Sequence, residues 1–189
     1  MSTNKTTKII KLSAKDIIST REKLDKEITN YWNIIKTENV ISKKAKSMGK
    51  GSNYDLFSVY NTILQDSEKR IKLKGMLQYI NMGILDFNYE DFKKTHYYTI
   101  FAACEEKEKI AHWKDLISKK RFINPVEKSK KGIKGTGKIE TFSYAKINAN
   151  MQKIQLSINS LNAKIAKFND ETMLNITSES EDFATNFAA

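Results

Sequence analysis

Apolar residues recur along this chain at steps of three and four, the period that lines one face of an α-helix. The clearest run lies towards the end, where Ile147, Met151, Ile154, Ile158, Leu161, Ile165 and Phe168 alternate steps of four and three without a break. A sustained heptad seam of this kind calls for a helical partner. A first helix is predicted to begin near Ser13, with Asp16 in the acidic position of a capping box. Its stripe is Ile17, Leu24, Ile28, Tyr31 and Ile35. A second helix is predicted from just after Asn53 to about Gly83, on Leu56, Val59, Ile63, Leu73, Leu77, Ile80 and Ile84. A third opens at Asn88, with Asp91 in the capping-box position, and continues to about Lys120.

Charged residues interrupt two of these stripes. Arg21 lies on the first, and Asp66 and Arg70 lie on the second. A charge on a packing face is costly unless it is paired. Asp66 and Arg70 stand four apart, so a pair within the helix is expected. For Arg21 the helix offers no equally evident partner. An arginine pointing into a cavity between helices would suit an anionic ligand.

One proline, Pro125, and seven glycines are too few for a fold with many tight turns. The expected class is all-α: an elongated bundle of about four long helices. Residues 1–12 form a lead, and 13–169 form the helical domain, with basic loops near 43–53 and 122–140. Residues 170–189 form an acidic tail carrying Glu171, Glu179, Glu181 and Asp182. A 30-residue helix is about 45 Å long, and helices of that length in so short a chain leave seams exposed. Assembly into a homo-oligomer is the economical way to cover them.

Charge adds a partner class to this picture. The net charge is +11 over 189 residues, which favours an anionic partner. Thirty lysines stand against three arginines, Arg21, Arg70 and Arg121. Lysine is a point charge, whereas two-point recognition of phosphate or bases leans on arginine. The surface therefore points to generic attraction and away from sequence-specific DNA reading, and the lysine bias is also what an AT-rich genome produces. Cys104 is the single cysteine, which excludes an internal disulfide and fits a reducing, cytoplasmic setting. No apolar run approaches the roughly 20 residues that span a bilayer, so no membrane partner is expected.

The candidate chemistry is mostly weak. Gly132–Lys138 has the Gly-x4-Gly-Lys spacing of a phosphate-binding loop, but Ile139 stands where Ser or Thr must hold magnesium. The preceding residues are lysine-rich and do not form a buried strand, so a basic loop is the expectation. Its glycine N–H groups and Lys138 could still clasp a phosphate. Lys109 and Lys93 occupy the positions where a di-iron bundle needs Glu before His112 and His96, so no metal and no cofactor is expected. Cys104 and His112 lie two turns apart on one predicted helix, too far for a nucleophile and its base. Cys104 is expected to be buried and structural. No catalytic constellation emerges, and no enzymatic activity is expected. The residues suited to hold an anion are Arg21, Arg70, Arg121 and Lys138, with His96, Tyr97 and Trp113 as rings able to stack on a base.

Lys11-Leu12 followed by Arg21-Glu-Lys-Leu24 and Ile28 resembles the first helix of the septicolysin-like helical family. Leu56 through Ile80-Asn81 resembles the second helix of that family, which tends to end on an Ile-Asn pair. Where the third helix of the family carries an Arg-Asp pair, this chain has Glu105–Lys109, so no site residues carry over. The resemblance implies a helical fold with a tendency to assemble.

The expectation is a non-enzymatic, homo-oligomeric protein that sequesters a small anionic ligand, a nucleotide or nucleotide signal, between its helices. Two other readings stay open. One is a structural or protein-interaction module docking through the fourth-helix seam. The other is nonspecific nucleic-acid binding through the Lys43–Lys50 and Lys128–Lys138 loops.

Overall fold

A computed structural model describes residues 11–39, 54–122 and 142–173. Among them are five helices and no strand: α1 (Ala14–Glu38), α2 (Leu56–Asn81), α3 (Tyr89–Phe92), α4 (His96–Ser118) and α5 (Tyr144–Glu171). The expected basic loops and most of the acidic tail lie outside the described residues. Among the described residues, no helix is long and apolar enough to cross a membrane.

Local chemistry sets the helix ends. Ser13 and Asp16 form the predicted capping box: the Ser13 hydroxyl accepts from Asp16 N–H, and the Asp16 carboxylate accepts from Ser13 N–H. Asp55, Asn88, Thr95 and Ser143 cap the other four helices. Gly83, at φ +73°, ends α2 in a Schellman turn, with Ile84 N–H bonded to Tyr79 C=O and Gly83 N–H bonded to Ile80 C=O.

The expected third helix is corrected to two. Thr95 adopts extended backbone geometry, its hydroxyl bonds Phe92 C=O at 2.7 Å, and its side chain caps Tyr98 N–H. A side chain that competes for backbone groups in this way stops one helix and starts the next.

Ring and ion contacts give the topology. Trp32 meets Tyr60, and Asp25 meets Arg70, so α1 and α2 run antiparallel. His96 stacks on Phe168 while Trp113 packs on Phe142, so α4 and α5 also run antiparallel. The two hairpins join through α2 against α4, with Trp32 and Trp113 in edge contact at 5.2 Å. The heptad seam of α5 finds its partner in α4. Ile147, Ile154 and Ile158 are buried, Met151, Leu161 and Ile165 are half-buried, and Phe168 ends the seam exposed. The seam by itself therefore does not require a second chain.

Two aromatic clusters flank a charged middle. At one end Trp32, Tyr60, Trp113 and Phe142 pack with centroids 4.9–5.9 Å apart and join the buried Ile28, Ile35, Leu56, Ile63 and Leu116. Towards the other end Phe92 is fully buried among Tyr79, Phe87, Tyr89, Tyr98 and Phe101. Its ring lies against Gly75 of α2, where an added Cβ would stand 2.5 Å from ring carbon Cε1. Glycine inside a helix normally costs about 1 kcal/mol relative to alanine. Here Gly75→Ala should nevertheless destabilise, by about 1–3 kcal/mol, because a ring held on several sides cannot yield. Denaturant unfolding of the variant checks the sign.

Candidate functional site

The most heavily charged interior feature is built around Arg70. Arg70 is 6% exposed, and its guanidinium meets carboxylates from two other helices. Nε donates to both oxygens of Glu105 at 2.8 and 3.0 Å. Nη2 reaches Glu105 at 2.5 Å and Glu108 at 2.6 Å, and Nη1 reaches Asp25 at 3.0 Å. Lys74 adds a bond to Glu105 at 2.9 Å, and Arg21 approaches Asp25 at 4.0 Å. Burial opposes the Arg70 charge, but Glu105, Asp25 and Glu108 more than offset it and hold its pKa above the ordinary arginine range.

This arrangement corrects two expectations. Arg70 does not pair with Asp66, which bonds Lys69 at 2.8 Å instead. The buried Glu105 across the bundle offers both carboxylate oxygens, a two-point geometry that draws the guanidinium towards it. Nor does Arg70 face an open anion pocket. Nε, one hydrogen of Nη1 and both hydrogens of Nη2 are engaged by acids that would repel a phosphate.

His112 borders the same region. It stacks on Trp32 with centroids 4.5 Å apart and is half-buried. Burial, then the positive field of Lys36, lowers its pKa to about 4 from 6.5, with Arg70 contributing in the same direction. The folded state therefore resists protonation while the unfolded chain accepts a proton near pH 6.5. The resulting stability is present above that pH and is lost as pH falls towards 4. His112→Gln, neutral throughout, should flatten the slope of melting temperature against pH between 4 and 6.5 relative to the parent.

A second polar feature closes one end of the bundle. Asn39, the C-cap of α1, is fully buried. Its Nδ2 donates to Arg121 C=O at 2.7 Å and to Phe142 C=O at 3.0 Å, and its Oδ1 accepts from Phe142 N–H at 2.7 Å. One side chain thus joins the end of α1, the segment after α4 and the residue before the N-cap of α5. The Arg121 guanidinium adds a bond to Lys36 C=O at 3.1 Å. It is presented by Lys120, whose φ of +50° is unusual for a residue with a side chain. That conformation closes a Schellman turn, with Arg121 N–H on Leu116 C=O at 2.8 Å.

Around this clamp the surface is basic and carries aromatic rings. Lys114, Lys119, Lys120 and Lys146 are exposed, and Asp115 takes Lys36 at 3.1 Å and Lys119 at 2.7 Å. Tyr54 and Tyr144 are 46% and 42% exposed, and Phe122 lies 5.1 Å from Tyr144. The two sequence segments that leave and re-enter here are lysine-rich: residues 40–53 hold Lys43, Lys44, Lys46 and Lys50, and residues 123–141 hold Lys128, Lys130, Lys131, Lys134 and Lys138.

The residues expected to hold a ligand do not converge on one place. Arg21 and Arg70 share Asp25 in the middle of the bundle. Trp113 is fully buried in the aromatic core, and Arg121 belongs to the clamp. His96 and Tyr97 sit at the start of α4, roughly 24 Å along the helix from Trp113; His96 is stacked on Phe168 at 3.9 Å. Lys138 and the glycine-rich run around it lie outside the described residues. Cys104, expected to be buried, is exposed on α4, because its position faces away from the partner helices. Asn39 had no local signal in the sequence: an asparagine beside a polar loop reads as a helix stop, and its three long-range bonds exist only in the assembled bundle. Among the described residues, no cluster of histidine, cysteine and carboxylates could hold a metal ion. No family of known proteins, no curated protein and no solved structure matches the chain.

Proposed function

We propose that this is a non-enzymatic binding protein that holds a phosphate-bearing polymer, nucleic acid without sequence preference, at the basic end of its bundle. The observation that carries the reading is the Asn39 clamp, which ties the exits of two lysine-rich segments together beside Arg121. Concentrating mobile-counterion sites in one region is what strengthens backbone binding, since each neutralised phosphate releases bound cations. Exposed Tyr144 supplies a face on which unpaired bases can stack. The excess of lysine over arginine suits attraction to a backbone and not the reading of base edges.

Fluorescence anisotropy with a labelled single-stranded oligonucleotide, repeated across salt concentrations, tests this. Affinity should fall steeply with salt. Lys119→Gln, Lys120→Gln and Arg121→Gln together should weaken binding and reduce the slope of log affinity against log salt by about one per contact removed. Binding that ignores salt, or ignores the triple variant, would overturn the assignment.

The rival anionic partner is a free nucleotide held between helices by Arg21 and Arg70, and that site is already crowded with Asp25, Glu105 and Glu108. Competition by a mononucleotide at concentrations comparable to the oligonucleotide would favour this rival. Assembly into a homo-oligomer belongs to the same proposal, supported by Leu85 and Leu156, which are 87% and 69% exposed. Linked copies would raise affinity for a polymer through effective concentration.

A further inference from the structure

A half-open cleft of about 190 Å³ lies between α2, α4 and α5, beside the Arg70 cluster. Ser67 lines it, is 3% exposed, and its Oγ has no hydrogen-bond partner. A serine inside a helix can return its hydroxyl to the carbonyl four residues back. Here it does not, and a buried hydroxyl left without a partner is destabilising. The large majority of buried side-chain polar atoms find a partner in folded proteins, so an unmet one needs an explanation.

The rest of the polar wall is rich in acceptors. Glu106 takes Lys109 on Oε1 at 2.7 Å, and Glu68 takes the Tyr89 hydroxyl on Oε1. Each carboxylate has about four lone-pair directions, so both keep capacity for another donor. The one lysine on the wall is already engaged by Glu106. An anion entering the cleft would meet Glu68, Glu105 and Glu106. Leu64 and Ile71, on the same face of α2 as Ser67, and Leu161 of α5 supply the apolar lining.

We propose that this cleft binds a small primary ammonium compound carrying a short aliphatic chain. Its three N–H donors are received by Ser67 Oγ and the Glu68 and Glu106 carboxylates, and its chain lies on Leu64, Ile71 and Leu161. An ammonium head has donors and no acceptor, which matches a wall of the opposite kind. Water would satisfy Ser67 but would leave the apolar side unused. Nothing in this inference depends on the nucleic-acid reading.

The test is a titration of the full chain with n-butylammonium at constant ionic strength, followed by amide NMR shifts, with n-butanol as the uncharged control. Saturable binding of one molecule per chain is expected, with shifts centred on Ser67 and Ala102. Butanol should bind about tenfold or more weakly, the loss of a charge-assisted bond. Glu106→Gln should raise Kd about tenfold, and Ser67→Val, which fills the cleft, should abolish binding. Absence of saturable shifts in the parent protein would overturn the proposal whatever the variants do. So would an equal response to butanol, or unchanged binding in a folded Ser67→Val variant.

Discussion

Arg70→Met is expected to lower the unfolding free energy by about 3–5 kcal/mol, the range seen when one partner of a buried ion pair is removed. The loss does not come from the missing guanidinium alone. Glu105 is 1% exposed and would be left buried with only Lys74 at 2.9 Å. Asp25 and Glu108 have side chains 43% exposed and can turn to water, so most of the penalty falls on Glu105. This attribution yields a second, sharper expectation. Changing Glu105 to Leu in the Arg70→Met background removes the stranded charge and should recover most of the loss. Chemical denaturation of the two single variants and the double variant gives the coupling energy directly. If Arg70→Met cost under about 1 kcal/mol, the cluster would be a solvated surface pair and not an interior anchor. A double variant as stable as the parent would show that the cluster is there for register: it fixes α2 against α1 and α4 without adding net stability.

Asn39→Ala should cost about 2–4 kcal/mol, judged from three lost bonds and the buried groups they leave behind. The Phe142 N–H and C=O would lose their partner in a buried setting, and the Arg121 C=O in a part-buried one. Asn39→Asp should be at least as damaging. Its carboxylate can still accept from Phe142 N–H but has no donor for the two carbonyls, and it brings a charge out of water. The expected signature is local as well as global. Amide exchange at Phe142 should accelerate more than exchange at Ile154, which lies along α5 away from the clamp. Because Asn39 is uncharged, the same substitution separates geometry from electrostatics in the proposed function. Weaker nucleic-acid binding with an unchanged salt slope would mean that the clamp acts by holding the basic segments together. Unchanged affinity in a folded variant would mean that the lysines suffice wherever they are tethered, and the clamp would be purely structural.

Much of the helical framework is legible from residue spacing. The Ser13–Asp16 capping box, the stripe on α1 and the seam on α5 are local patterns, and helical geometry alone converts them into faces. The all-α class follows from the same periodicity and the near absence of proline. Local reasoning reached its limit wherever a residue chose among partners. Asp66 is the acid one helical turn before Arg70, yet Glu105, thirty-five positions away, offers a buried two-point acceptor and takes it. Thr95 splits the predicted third helix by bonding backbone groups on either side, and Phe92 just before it sits against Gly75 of another element. Trp113 is offered by the sequence as a stacking ring, although core packing is the commoner role for such aromatics, and the closed bundle buries it fully.

The candidate sites divide along the same line. Net positive charge and two lysine-rich segments are properties of the chain, and so is the expectation of an anionic partner. That both segments leave the bundle beside Asn39 depends on which helix ends meet, and contacts across eighty and a hundred positions decide that. The Ser67 cleft depends on three helices failing to fill one space. Periodicity determined which faces are apolar, because side-chain direction repeats with the backbone. Tertiary structure decided which charges and hydroxyls met a partner, because burial and long-range geometry set the cost of leaving one unmet.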